Sequence, residues 1–203
     1  MGRSCKPSLR KRIGLRLFSS LHERAVAEHR LRTLFWECTL RCNLACRHCG
    51  SDCRVDPGVR DMPDFLRVLD EEVTPHVDPR QVLVIFSGGE VLVREDLERA
   101  GEEVTRRGYP WGMVTNGMAL TPERLDSLLR AGLRSISVSL DGFEEVHNHI
   151  RRNPLSYVRA LDAARRIARV PGLAYDVITC VTGPMVPRLE EFRELLIAEG
   201  IRH

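Results

Sequence analysis

From residue 31 onward, short apolar runs alternate with helical stretches, and this alternation constrains the fold more than any other feature of the 203 residues. "LRTLFWE" (31–37), "QVLVIF" (81–86), "WGMVTNG" (111–117), "LRSISVSLDG" (133–142) and "LAYDVITCVTG" (173–183) read as strands. The second is a continuous apolar run of the kind buried on both faces. Helical spacing fills the intervals: Phe65, Leu66, Leu69 and Val73 within 62–77, then 94–108, 121–132, 156–170 and 187–200. Thr121 followed by Pro122 is a helix start, and Gly108 and Gly200 are helix stops. Strand-then-helix repeated in this way requires parallel strands joined by crossover helices, an α/β fold. Periodicity leaves open whether those strands curl into a barrel or spread as an open sheet.

In such folds chemistry gathers where the strands end at their carboxyl side. The unusual residues of this chain follow that rule. After the first strand comes a cysteine loop. "SGGE" (87–90), "TNG" (115–117), "SLDG" (139–142) and "TCVTG" (179–183) follow the others. The loops at the opposite ends, "RRGYP" and "RAGLRS", are ordinary helix ends.

The loop "CTLRCNLACRHCGSDC" (38–53) holds five of the seven cysteines. An odd count cannot pair completely, and a chain with no apolar run long enough for a signal core or a membrane span belongs in the reducing cytoplasm. Clustered thiols there bind metal or do redox chemistry. Cys42, Cys46 and Cys49 form C-x3-C-x2-C, spacing that wraps one compact site, and thiolates select zinc, copper(I) or iron–sulfur clusters. Zinc prefers paired C-x2-C ligands, so this spacing suits it less, although Cys38, Cys53 or His48 could complete four. Cys180 reads as a buried strand thiol, Cys5 as incidental, and His147 and His149 as surface or supporting groups.

C-x3-C-x2-C after the first strand, followed in order by GGE, TNG and SLDG, resembles the radical S-adenosylmethionine (SAM) enzymes. The resemblance runs from about residue 31 to the end, and implies a partial (βα)6 TIM-like barrel with five βα units present, residues 31–203 forming a core domain incomplete at its C-terminus. "WECTLRCNLACRHCGSDC" is most similar to the peptide-modifying branch with a C-terminal SPASM-type cysteine domain, and more narrowly to the members paired with small lipoproteins. It implies that Cys42, Cys46 and Cys49 hold a [4Fe-4S] cluster with one open iron for SAM. His48 takes the family's aromatic position beside the adenine. Gly88 and Gly89 allow close backbone approach, and Glu90 accepts from the SAM ammonium. Ser139 meets the ribose, Asn116 is a further polar group of the rim, and Arg151 stands near the SAM carboxylate. The chain departs from the family pattern at Val91, where Pro is common, at Arg152, where Gly often stands, and at Thr182, where Asn is frequent. The implied reaction is reductive cleavage of SAM to a 5′-deoxyadenosyl radical that takes hydrogen from a substrate, a peptide or protein by the branch resemblance. An electron donor such as a flavodoxin or ferredoxin is implied as partner.

Charge adds one feature. Residues 1–32 hold nine Lys/Arg against two Asp/Glu, whereas the rest holds 22 against 26. Ile13, Leu17 and Leu21 recur at helical spacing, so residues 1–30 read as a basic arm forming an amphipathic helix. With 5% aromatic residues, nothing indicates stacking platforms for nucleic acid. The alternatives to an enzyme are a non-catalytic thiolate metal-binding scaffold, or an inactive fragment.

Overall fold

The computed structural model describes residues 8–51, 53 and 61–202; Cys5 and His203 lie outside them. The chain divides into two compact units, at residues 1–32 and 33–203. In the first, helix α1 (Leu9–Glu28) starts at Ser8, whose Oγ accepts from Lys11 N at 3.3 Å, and ends at His29 with φ 48°. Its residues are all exposed, the Ile13, Leu17 and Leu21 stripe included. Among the described residues no helix is long and apolar enough to cross a membrane.

In the second unit, β1 (Thr33–Thr39), β2 (Leu83–Gly88), β3 (Trp111–Thr115), β4 (Leu133–Ser139) and β5 (Ala174–Ile178) form one parallel sheet in the order β1-β2-β3-β4-β5. This order resolves what periodicity left open. An open doubly wound sheet reverses its strand order at a switch point. Sequential order with crossovers of one hand instead keeps the helices on one side, which is the wall of a barrel. Among the described residues β1 and β5 each pair along one edge, so the wall is partial.

The core lies between the sheet and its helices: α2 (Met62–Val68), extended by a π turn (Leu69–Val73) and a 3₁₀ turn (Thr74–His76), then α3 (Leu97–Arg106), α4 (Pro122–Arg130), α6 (Ser156–Ile167) and α7 (Leu189–Ala198). Trp36, Val84, Phe86, Trp111, Met113, Ile136 and Val138 face them. Aromatic packing ties the first three strands together, with Trp36 edge-on to Phe86 at 5.1 Å and Phe86 stacked on Trp111 at 4.9 Å, and Trp36 also stacks on Phe65 of α2 at 4.1 Å. The Thr121 cap forms as the sequence indicates, Oγ1 accepting from Arg124 N at 3.1 Å. Ile201 is buried against this core, its N–H bonded to Leu196 O.

The alternate residues point to the inner face. There Phe35 is 66% exposed, Glu37, Asp176 and Ile178 are exposed, and Ser135, Ser137 and Ser139 form a half-buried row. A complete barrel fills this side with layers of bulky side chains. Here the five strands leave this side open, with Ser135, Ser137 and Ser139 along β4 and Phe35 and Ile178 exposed on the outer strands.

One element goes beyond the sequence reading. Helix α5 (Glu144–Arg151) occupies a stretch with no assigned structure. Its apolar side is only Val146 and Ile150, with the buried His147 between them, too sparse a pattern to register as periodic.

Candidate active site

The site starts with how the cysteine loop is held. Beyond β2, Gly89 N donates to Thr39 O at 2.7 Å and Glu90 N to Arg41 O at 2.9 Å, carrying the β1–β2 pairing into the loop. The backbones are so close that a Cβ on Gly88 would lie 2.0 Å from Thr39 O, and one on Gly89 2.3 Å from Arg41 O. Close approach is thus what these glycines provide, and the backbone they approach is that of the cysteine loop. From the other side, Arg47 N donates to Ile150 O at 2.8 Å and its Nε to His149 O at 3.2 Å, docking the loop on the end of α5. Asn116 Nδ2 donates to Asn43 Oδ1 at 2.7 Å, and Asn116 Oδ1 accepts from Met118 N at 2.9 Å. Strand ends and α5 grip the loop together.

The grip leaves a cleft of ≈ 290 Å³ at the carboxyl ends of the strands. Cys42, Cys46, His48 and Cys49 line it, as do Gly88, Gly89, Glu90, Asn116, Ser139 and Arg151. The structure therefore brings together every site residue singled out from the sequence. Cys42 Sγ accepts from Leu44 N at 3.4 Å, Cys46 Sγ faces Arg151 Nη1 at 3.9 Å, and Cys49 Sγ donates to Ser51 O at 3.1 Å. Burial raises the pKa of Cys42 and Cys46, opposed by the Leu44 N–H at the first and the Arg151 charge at the second. Cys38 belongs to the core instead, its pKa pushed up to about 12 by burial. Cys53, raised to about 11 by burial and by its neighbour Cys49, stands beside the three thiols.

These donors fit an iron–sulfur cluster. A cluster takes each thiolate on a different iron, so thiols spaced along a loop at the mouth of a polar cleft meet its need.

Glu90 is buried. Its Oε1 accepts from Thr115 Oγ1 at 2.6 Å and Leu92 N at 3.1 Å, and its Oε2 from Asn116 N at 2.7 Å. Burial raises the pKa of this carboxyl group against the pull of those donors. The GGE segment therefore braces the ends of β2 and β3 as well as lining the cleft. Val91, after it, is fully buried at the start of a 3₁₀ turn, Val91–Val93.

Asp141 is the residue that sequence reasoning passed over, since Asp-Gly after a strand reads as a turn. Its side chain is 1% exposed, with Oδ2 accepting from Arg151 Nε at 2.7 Å and Oδ1 from Cys180 N at 3.1 Å. His48 Nε2 lies 3.8 Å from Oδ2. Burial works against its charge, but the Arg151 hydrogen bond and charge outweigh it and hold its pKa below the usual carboxylate range. His147 is buried, not at the surface; its Nδ1 accepts from Asp141 N at 3.0 Å, and burial with the Arg151 charge lowers its pKa to about 4. His149 is exposed. Cys180 corrects another expectation: it lies past the end of β5, exposed, and lines the cleft. Arg94, also unmarked by the sequence, is buried and donates Nη1 to Cys38 O at 2.6 Å, supporting the end of β1. At Arg152 the backbone has φ 56°, the left-handed C-cap of α5, which explains why the resembling family often has Gly there.

The model of the Radical SAM superfamily matches residues 36–196 of this chain. The chain belongs to the radical SAM superfamily. Members of this superfamily are enzymes that use a [4Fe-4S] cluster and SAM. Among curated radical SAM relatives, the AdoMet-dependent heme synthase of Methanosarcina barkeri is 33% identical over 153 residues, 74% of this chain and 43% of that protein. The mycofactocin maturase MftC of Mycobacterium tuberculosis is 30% identical over 169 residues, 82% of this chain and 42% of that protein. Similar solved structures include anSMEcpe with bound AdoMet, at TM-score 0.69 and 18% identity, covering 84% of this chain and 49% of that one. Streptococcus suis SuiB bound to its precursor peptide SuiA also reaches TM-score 0.69, at 16% identity, covering 99% and 45%. The chain thus spans less than half the length of these relatives. The radical SAM fold expected from the motifs, parallel α/β in a partial barrel, is the fold observed.

Proposed function

We propose that this chain is the part of a radical SAM enzyme that holds a [4Fe-4S] cluster and SAM, and that the enzyme modifies a peptide or protein. One observation carries the reading: three thiols spaced C-x3-C-x2-C share one cleft with the GGE segment, Ser139 and Arg151. Cys42, Cys46 and Cys49 are the cluster ligands. When bound, cluster and SAM together supply reductive cleavage to a 5′-deoxyadenosyl radical that takes hydrogen from substrate. The chain's own residues bind and orient. Glu90 accepts from the SAM ammonium with the acceptor capacity its protein donors leave, and Gly88 and Gly89 set the loop against β2 so that the thiols face the cleft. Ser139 at the end of β4 meets ribose hydroxyls, His48 flanks the adenine, Asn116 fixes the rim through Asn43, and the Arg151 guanidinium meets the SAM carboxylate. The open inner face admits substrate while the strand ends shelter the reacting atoms from water. A peptide substrate is supported by the mycofactocin maturases and by SuiB with its precursor peptide. A flavodoxin or ferredoxin is the proposed electron donor, and the cytoplasm the proposed location.

The test is 5′-deoxyadenosine formation. The purified chain, reconstituted anaerobically with iron and sulfide and given dithionite and SAM, is expected to form it, and a Cys42→Ala/Cys46→Ala/Cys49→Ala chain to form none. Zinc without acid-labile sulfide in the purified protein, and no product after reconstitution, would point to a thiolate scaffold instead.

A further inference from the structure

We propose that the buried ion pair between Asp141 and Arg151 sets the charge balance at Cys46, and through it the reduction potential of the cluster. The inference rests on the cluster reading above. Arg151 ends α5 with its side chain only 11% exposed, its Nη1 3.9 Å from Cys46 Sγ and its Nε 2.7 Å from Asp141 Oδ2. Asp141 is fixed in turn by Cys180 N, and its own N–H ends on His147 Nδ1. A histidine that accepts there, with a pKa lowered to about 4, is neutral at physiological pH. Arg151 and Asp141 are therefore opposite fixed charges set one behind the other against a single cluster ligand.

Buried charges are weakly screened. Reduction adds negative charge to a cluster, so a cation beside a ligand sulfur favours the reduced form and an anion disfavours it. Asp141 and Arg151 are positioning residues in this sense, acting on the cluster through Cys46. Arg151→Gln is expected to disfavour reduction by about tenfold, about 59 mV lower for a one-electron couple. Asp141→Asn removes the negative charge and shifts the equilibrium by a similar factor the other way; its amide oxygen can accept from Cys180 N or from Arg151 Nε, but not from both. The double variant returns to within about threefold of wild type, and Arg151→Lys, which keeps the charge, stays there too.

The experiment is a redox titration of the anaerobically reconstituted chain, followed by electron paramagnetic resonance (EPR) after iron and sulfide have been measured in each variant. Opposite shifts that cancel in the double variant support the proposal. Single variants within threefold of wild type, or shifts of the same sign, overturn it while leaving the cluster reading intact. A wild-type chain that takes up no iron and sulfide overturns the cluster reading itself.

Discussion

Cys42→Ala and Cys46→Ala are each expected to lower cluster iron and sulfide at least tenfold after reconstitution, whereas Cys53→Ala leaves both near wild type. On the proposed assignment three protein thiolates serve four irons, so losing one leaves two irons without protein ligands. The chain offers these two positions no replacement. Cys38 is sealed in the core with its pKa pushed up to about 12, and Cys180 is held past the end of β5 by its backbone N–H on Asp141 Oδ1. Cys53 interacts with Cys49 and, less strongly, with Cys42, but falls outside the C-x3-C-x2-C spacing. Since Cys42, Cys46 and Cys53 all lie outside the core, the apo-protein should lose less than about 0.5 kcal/mol of stability in these variants. Iron and acid-labile sulfide per chain, with a urea midpoint for each variant, check both halves. Full cluster content in Cys42→Ala would contradict the ligand assignment.

Gly88→Ala acts on the frame instead of the ligands, and is expected to destabilise the chain by about 2–6 kcal/mol. Two costs combine. At φ 131° a Cβ is strained whatever the space, about 1–3 kcal/mol. The new Cβ would also lie 2.0 Å from Thr39 O, a backbone atom with nowhere to go, and overpacking of this kind costs a further 1–3 kcal/mol or so. Displacement of Thr39 shifts the start of the cysteine loop, so cluster uptake should fall along with stability. Gly183, with nothing within 4 Å of its Cβ position and an ordinary φ, is the control and should tolerate Ala within about 0.5 kcal/mol. Equal urea midpoints for Gly88→Ala and wild type would contradict the close approach of the two backbones.

The sequence made some of this legible and hid the rest for physical reasons. Apolar runs such as 81–86 and a cap such as Thr121 are local signals, and each strand and most helices lie where those signals point. Strand order is not local. Only the pairing of β1 with β2 through to β4 with β5 shows that the sheet is a barrel wall. Helix α5 escaped because its buried side is two apolar residues and a histidine. With it went the convergence of Arg151, His147 and Asp141, since spacing along a chain cannot show that a turn-like Asp meets an Arg ten residues later. Cys180 was misread for a related reason: it follows a β-branched run, but β5 stops at Ile178 and the next residues turn onto the rim. The cysteine loop and GGE segment were readable because their order follows the strand order, and each sits directly after its strand.

The most direct measurement is the EPR spectrum of the reduced, reconstituted chain with and without SAM. If one cleft on this chain holds a cluster with an open iron and SAM beside it, adding SAM changes the cluster signal, and the change is lost or weakened in Arg151→Gln. A cluster signal that SAM leaves unaltered at saturating concentration would contradict the assignment of this cleft.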